Sequence, residues 1–136
     1  MAQIQLNLDG YTELPDGKVA CVTTHLEMLE KPALKMIDRP DLKLQRVERA
    51  ETSEYKTLFK RIGGPWLWFA RLVMSEEQLE ATLNKPTNEL YWAVKGGEPI
   101  GILELDFSKT DEVVLAYFGL VPEAVGYGAG RWLMNH

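Results

Sequence analysis

Gly126, Gly128 and Gly130 alternate through Gly126-Tyr127-Gly128-Ala129-Gly130, and their spacing is the first thing in this chain that could do chemistry. Ahead of them, Val114 to Val121 is apolar, β-branched and aromatic, the composition of a buried strand. Pro122 stops that strand, because proline has no N–H to give to a sheet ladder. Behind them, Arg131-Trp132-Leu133-Met134 reads as the opening of a helix. Strand, glycine loop and helix start together make an anion-binding device. Unpaired N–H groups point at a phosphate, the helix dipole favours negative charge, and glycine permits close approach and positive φ. The spacing matches neither the G-x-G-x-x-G of a dinucleotide site nor the G-x-x-x-x-G-K-[ST] of a nucleotide P-loop. An ordinary glycine turn capping a strand is the plainer alternative.

A second chemical group is acidic. Glu104 interrupts Ile102-Leu103-Glu104-Leu105, and a carboxylate in such a strand faces either a cleft or the wet side of the sheet. His25 and Cys21 carry less weight. With no carboxylate or second histidine nearby in sequence, His25 reads as a histidine at a strand edge, and Cys21 as a small buried apolar residue.

The elements that would position these groups follow from periodicity and punctuation. Ile4, Leu6 and Leu8 alternate with polar residues, Leu14-Pro15-Asp16-Gly17 is a turn, and Val19 to Leu26 is β-rich. Residues 1–41 are therefore expected to form a hairpin-like extension followed by a proline-containing connector. A strand over Leu42 to Arg49 opens the main domain, residues 42–136. Thr52 or Ser53 caps a helix with Tyr55, Leu58, Phe59 and Ile62 on one face, ended by Gly63-Gly64-Pro65. Trp66-Leu67-Trp68-Phe69 either lines a pocket or joins the core, and such aromatic density points to core. Ser75-Glu76-Glu77-Gln78 is a capping box, stapled by Met74 and Leu79, and Asn84-Lys85-Pro86 stops that second helix. Leu90 to Val94, Pro99 to Phe107 and Glu112 to Val121 then make a meander, turned by Lys95-Gly96-Gly97-Glu98 and Ser108-Lys109-Thr110-Asp111.

Bulk properties narrow the class. A chain of 136 residues, 46% hydrophobic, is long enough for a real core. A formal charge of −5 without any basic, aromatic-interleaved run argues against nucleic acid or an anionic membrane as partner. One cysteine gives no disulfide framework and suits a reducing cytoplasm, and the N-terminus lacks the pattern of a signal peptide.

The order β-α-α-β-β-β-loop-α, with Leu120-Val121-Pro122-Glu123 running into Val125-Gly126-Tyr127-Gly128-Ala129-Gly130, resembles the GNAT superfamily of acyl-CoA-dependent N-acyltransferases. In that family a strand ending Val-x-Pro leads into Q/R-x-x-G-x-G/A and a helix. Val125 departs from the Gln/Arg position, which removes a side-chain contact but not the backbone cradle. The resemblance implies an α+β fold (α/β/α-like) with a mixed, mostly antiparallel sheet flanked by helices. It implies acetyl-CoA as co-substrate, no metal, and a small-molecule or peptide amine as acceptor. Gly119, Leu120 and Val121 would pair with the pantetheine arm, while Val125, Gly126, Tyr127, Gly128, Ala129, Gly130 and Arg131 would hold the diphosphate. The amide near Leu120 would stabilise the oxyanion, and Arg131 adds a charge or is simply solvated. Glu104 is the first candidate for the base that deprotonates the amine, ahead of Glu112, Tyr117 and Asp106.

The family's fold continues with a fifth strand, a fourth helix and a final strand pair, which this sequence does not contain. The expectation is therefore a truncated domain, lacking the family's usual tyrosine acid, with a lost C-terminal half, a homodimeric partner or a swapped copy covering the last helix. A non-catalytic acyl-CoA-binding or protein-interaction module on the same scaffold is the alternative function.

Overall fold

The computed structural model describes residues 4–136. The first three residues of the N-terminal extension, where the reading of the N-terminus as no signal peptide begins, lie outside the described residues. The chain divides into a unit ending at Ala33 and a second unit, Leu34–His136.

Residues 4–33 contain turns but neither helix nor strand. The turn expected at Leu14-Pro15-Asp16-Gly17 is present, with the Lys18 N–H donating to the Pro15 carbonyl at 3.1 Å. The two expected strands are not. Ile4, Leu6, Leu8, Val19 and Leu26 are exposed, and Val22 is 93% exposed. Alternation supplies a face, but a strand also needs a partner backbone and something to cover that face, and a lone hairpin is marginal in water. Cys21 and His25 are exposed too, so Cys21 is not the buried residue expected.

The second unit contains β1 (Leu42–Arg46), α1 (Thr52–Gly63), α2 (Glu76–Leu83), β2 (Asn88–Lys95), β3 (Glu98–Asp106), β4 (Val114–Leu120) and α3 (Ala129–Asn135). Short 3₁₀ turns lie at Gly64–Trp66 and Pro122–Ala124. The strands form one sheet in the order β1-β2-β3-β4, each neighbour antiparallel. The fold is thus α+β as expected, but the sheet is wholly antiparallel among the described residues rather than mixed.

Side-chain alternation splits the sheet into two packed faces. Leu90, Trp92, Val94 and Ile102 join Tyr55, Leu58, Phe59 and Ile62 of α1 and Leu79 and Leu83 of α2. Ala93 and Leu103 face the other way and join Leu42 with Ala129, Trp132 and Leu133 of α3. The 3.6-residue period in α1 therefore did place one continuous stripe on the core. Its N-cap is Glu51, not Thr52 or Ser53, and Thr52 instead hydrogen-bonds Glu76 of α2. The capping box of α2 is formed as read: Ser75 Oγ accepts from the Gln78 N–H at 3.2 Å and Gln78 Oε1 from the Ser75 N–H at 3.1 Å. Gly96 and Gly97, at φ 59° and 91°, make the tight turn between β2 and β3. Of the aromatic run only Trp68 packs on the core, whereas Trp66, Leu67 and Phe69 are exposed.

Gly63 is where α1 ends against Trp68: a Cβ built there would stand 2.3 Å from Trp68 Cβ. Gly63→Ala is expected to lower the unfolding free energy by about 1–3 kcal/mol through overpacking. Urea denaturation would read this as a reduced midpoint, and an unchanged midpoint would contradict the packing described.

Candidate functional site

β4 is an edge strand, and its hydrogen-bond phase determines what the edge offers. The Val121 N–H donates to the Ile100 carbonyl at 2.8 Å. The register continues as Gly101↔Leu120, Ile102↔Gly119 and Leu103↔Phe118. Bonded and non-bonded pairs alternate in an antiparallel ladder. Gly119 and Val121 therefore turn their main-chain groups toward β3, while Phe118 and Leu120 turn theirs to the side that no strand occupies among the described residues. Nearer its start β4 carries a bulge, since Glu104 faces Tyr117 and Leu105 faces Leu115, leaving Ala116 unpaired.

The loop continues this row of unused donors. Ala124 and Val125 N–H bond back to Val121 and Pro122, and the next paired amide is Trp132, which donates to the Gly128 carbonyl at 3.0 Å. Between them, the N–H groups of Gly126, Tyr127, Gly128, Ala129, Gly130 and Arg131 have no acceptor among the described residues. Gly126 and Gly128 sit at φ 93° and 80°, and no atom lies within 4 Å of where a Cβ would stand on either. Positive φ without crowding is what glycine supplies here. Val125, Tyr127 and Arg131 are exposed, while Ala129, Trp132 and Leu133 anchor the start of α3 to the sheet. Gly119 lies under α1, where a Cβ would come within 2.5 Å of Ile62 Cγ2.

One contact to the loop had no signal in the sequence. Arg39 Nη1 donates to the Tyr127 carbonyl at 2.5 Å, while its Nε and Nη2 hold both oxygens of Asp41 at 2.8 Å. The hydrogen bond from Arg39 keeps the Asp41 carboxyl well below the usual carboxylate range.

The acidic candidates are distributed differently from the expectation. Glu104 faces neither a cleft nor water: it is fully buried on the α1 side, accepting from Tyr55 Oη at 2.7 Å and from Arg71 Nη2 at 2.5 Å. Strand alternation could not have shown this, because the counter-charge comes from the connection between α1 and α2. Burial, and next the Glu104 carboxylate, push the Tyr55 hydroxyl far above its ordinary value. For Arg71 burial opposes the charge, but the attraction of Glu104 prevails and its pKa is raised. The Arg71 guanidinium carbon lies 5.1 Å from the ring centre of Tyr117, a cation–π arrangement. Tyr117 itself is half-buried against Phe59 and Trp68, and burial raises its hydroxyl pKa.

Asp106 and Glu112 are elsewhere. Asp106 pairs with Val114 at the start of β4, the end opposite the loop, a strand length or about 20 Å away. It bonds Lys85 Nζ at 2.8 Å and the Ser108 N–H at 2.9 Å. Glu112 precedes β4 rather than lying on it, and pairs with Lys109. The structure thus brings Leu120 and the glycine loop together, leaves Asp106 and Glu112 at or before the far end of β4, and sets Glu104 and Tyr117 opposite each other three residues back along the ladder, on the α1 side.

An open cavity of about 350 Å³ beside α1 is lined by Ser53, Thr57, Arg61, Glu98 and Pro99 among others, and includes no loop residue. Among the described residues no group of three or more His, Cys, Asp or Glu could hold a metal ion, and no helix is long and apolar enough to cross a membrane. No protein-family model matches the chain, and a search of curated proteins finds no match either.

Two outcomes follow from these contacts. Glu104→Gln removes the partner of a buried guanidinium and is expected to cost about 3 kcal/mol of stability, measured by chemical denaturation; a variant as stable as wild type would show the pair to be dispensable. For Asp106, the hydrogen bond from Lys85, then that from Ser108, hold the carboxyl at about 2 against an ordinary 3.8. A depressed carboxyl stabilises above its unfolded pKa and loses that contribution as pH falls through its folded one. The stability difference between wild type and Asp106→Asn should therefore be full at neutral pH and vanish between about pH 4 and 2; a difference constant over that range would contradict the assignment.

Proposed function

We propose that residues 42–136 belong to an acyl-CoA-dependent N-acetyltransferase domain of the GNAT kind, transferring acetyl from acetyl-CoA to a primary amine. The observation that carries this reading is one row of unpartnered main-chain amides, from Phe118 and Leu120 on the sheet edge to Gly126–Arg131 at the helix start.

On this reading each part of the co-substrate meets a matching feature. The amides of the pantetheine arm add to the edge of β4 through the outward main-chain groups of Phe118 and the Leu120 carbonyl, as an extra strand would, because Gly119 and Val121, expected to share this role, are already committed to β3. The diphosphate lies over the loop amides, with the exposed Arg131 adding charge. A neutral amine attacks the thioester carbon, the carbonyl oxygen becomes an oxyanion held by the outward amide of Leu120, and the C–S bond breaks to release the thiolate. The proton lost by the amine passes to water and one returns to the thiolate. With Glu104 fully buried and paired with Arg71, water rather than that carboxylate is the immediate proton acceptor. The formal charge of −5 favours approach of a cationic amine.

The burial of Glu104 also favours a second reading, an acyl-CoA-binding module without turnover. Calorimetry with acetyl-CoA, CoA and ATP, and thiol release with a panel of amines, separate the two. Both predict that CoA binds, that ATP does not compete, and that Gly128→Val weakens CoA by more than about tenfold. Thiol release that depends on the amine identifies the enzyme, and binding without release identifies the module. Failure of wild type to bind CoA, or undiminished binding by Gly128→Val, would contradict both.

A further inference from the structure

We propose that Arg39 is a positioning residue for the glycine loop, acting with Asp41 to hold the Tyr127–Gly128 peptide so that its N–H faces the ligand; this rests on reading the loop as a diphosphate cradle. Arg39 precedes β1, in the stretch that composition marks only as a connector. Each of its three nitrogens is engaged: Nε and Nη2 form a fork on Asp41 at 2.8 Å each, and Nη1 reaches the Tyr127 carbonyl at 2.5 Å. The fork fixes the plane of the guanidinium, and with it the direction of the remaining donor. The Arg39 side chain is only 17% exposed, well covered for an arginine outside any helix or strand.

The consequence for the loop is stereochemical. In a trans peptide the C=O and N–H lie in one plane and point in opposite directions. Drawing the Tyr127 carbonyl toward Arg39 therefore sends the Gly128 N–H to the opposite side. Tyr127 is flanked by Gly126 and Gly128, both at positive φ and both uncrowded. Glycine-flanked peptides rotate at little steric cost, so this orientation needs an external hold. Among the described residues, Arg39 is the one side chain that bonds the main chain of residues 122–130. The same connector also holds the far end of α3, where Asn135 Nδ2 donates to the Lys35 carbonyl at 2.7 Å. The stretch 35–41 is thus a strap over the loop and the helix that follows it.

The test has one arm that needs no ligand and one that does. In the free protein, ¹⁵N relaxation of Arg39→Ala should drop the order parameters of the Gly126–Gly128 amides from near 0.85 in wild type to below about 0.6. Unchanged order parameters overturn the proposal whether or not CoA binds. In titrations, Arg39→Ala and Arg39→Lys should both weaken CoA by about tenfold, since neither side chain can form the fork and reach Tyr127 together. Pantetheine, which lacks the diphosphate, should bind wild type and variants alike. Equal loss for CoA and pantetheine would mark a merely structural role, and full rescue by lysine would mark a charge effect; either overturns the proposal. If wild type binds no CoA while the relaxation arm behaves as expected, the strap stands and the acetyl-CoA reading fails.

Discussion

A sheet edge with nothing beside it leaves main-chain groups that must be satisfied by something other than the sheet. In this chain that edge is β4, and the phase set by the Val121–Ile100 bond decides which amides are outward. Pro122 ends the ladder, the glycines carry the backbone through positive φ, and α3 begins before any of its first amides finds a partner. Trp132 and Leu133, buried against Leu42, Ala93 and Leu103, fix that helix start on the sheet. Core packing on one face thus presents a polar row on the edge. The site is a consequence of where pairing stops.

The opposite face is governed by a buried charge. A carboxylate within the sheet is tolerated only with compensation, and Glu104 has it from Arg71 and Tyr55. Arg71 lies between α1 and α2, so the pair ties that connection down on β3, and its stacking over Tyr117 extends the tie to β4. Phe59, Trp68 and Tyr117 pack around it with ring centres 4.8 to 5.3 Å apart. An acid–base role would require Glu104 to leave partners that stabilise the fold. This tension between packing and the proposed catalysis is what keeps the binding-module reading alongside the enzyme reading.

Local signals in the sequence were legible where one stretch of chain carries the whole cause. Tyr55, Leu58, Phe59 and Ile62 mark the buried stripe of α1, Ser75 and Gln78 mark the start of α2, and Gly96-Gly97 marks the first hairpin of the meander. The glycine loop was legible for the same reason, since the positive φ at Gly126 and Gly128 needs only the glycines themselves. Signals that depend on a distant partner were not. Ile4 to Leu8 and Val19 to Leu26 alternate like strands, yet alternation cannot announce whether a neighbouring strand exists. Glu104 fits a cleft or the wet face by its own strand alone, because its counter-charge, Arg71, comes from a different element. Arg39 passed as part of a connector because nothing local links it to Tyr127.

On the proposed reading, outward main-chain amides rather than side chains grip the co-substrate. A ¹H–¹⁵N titration of the protein with CoA tests it most directly, because it reports each amide separately. The shifts are expected to concentrate at Phe118, Leu120 and Gly126–Arg131, with little change around the cavity at Ser53 and Pro99. Shifts centred on that cavity, or a loop that stays silent while CoA binds, would contradict it.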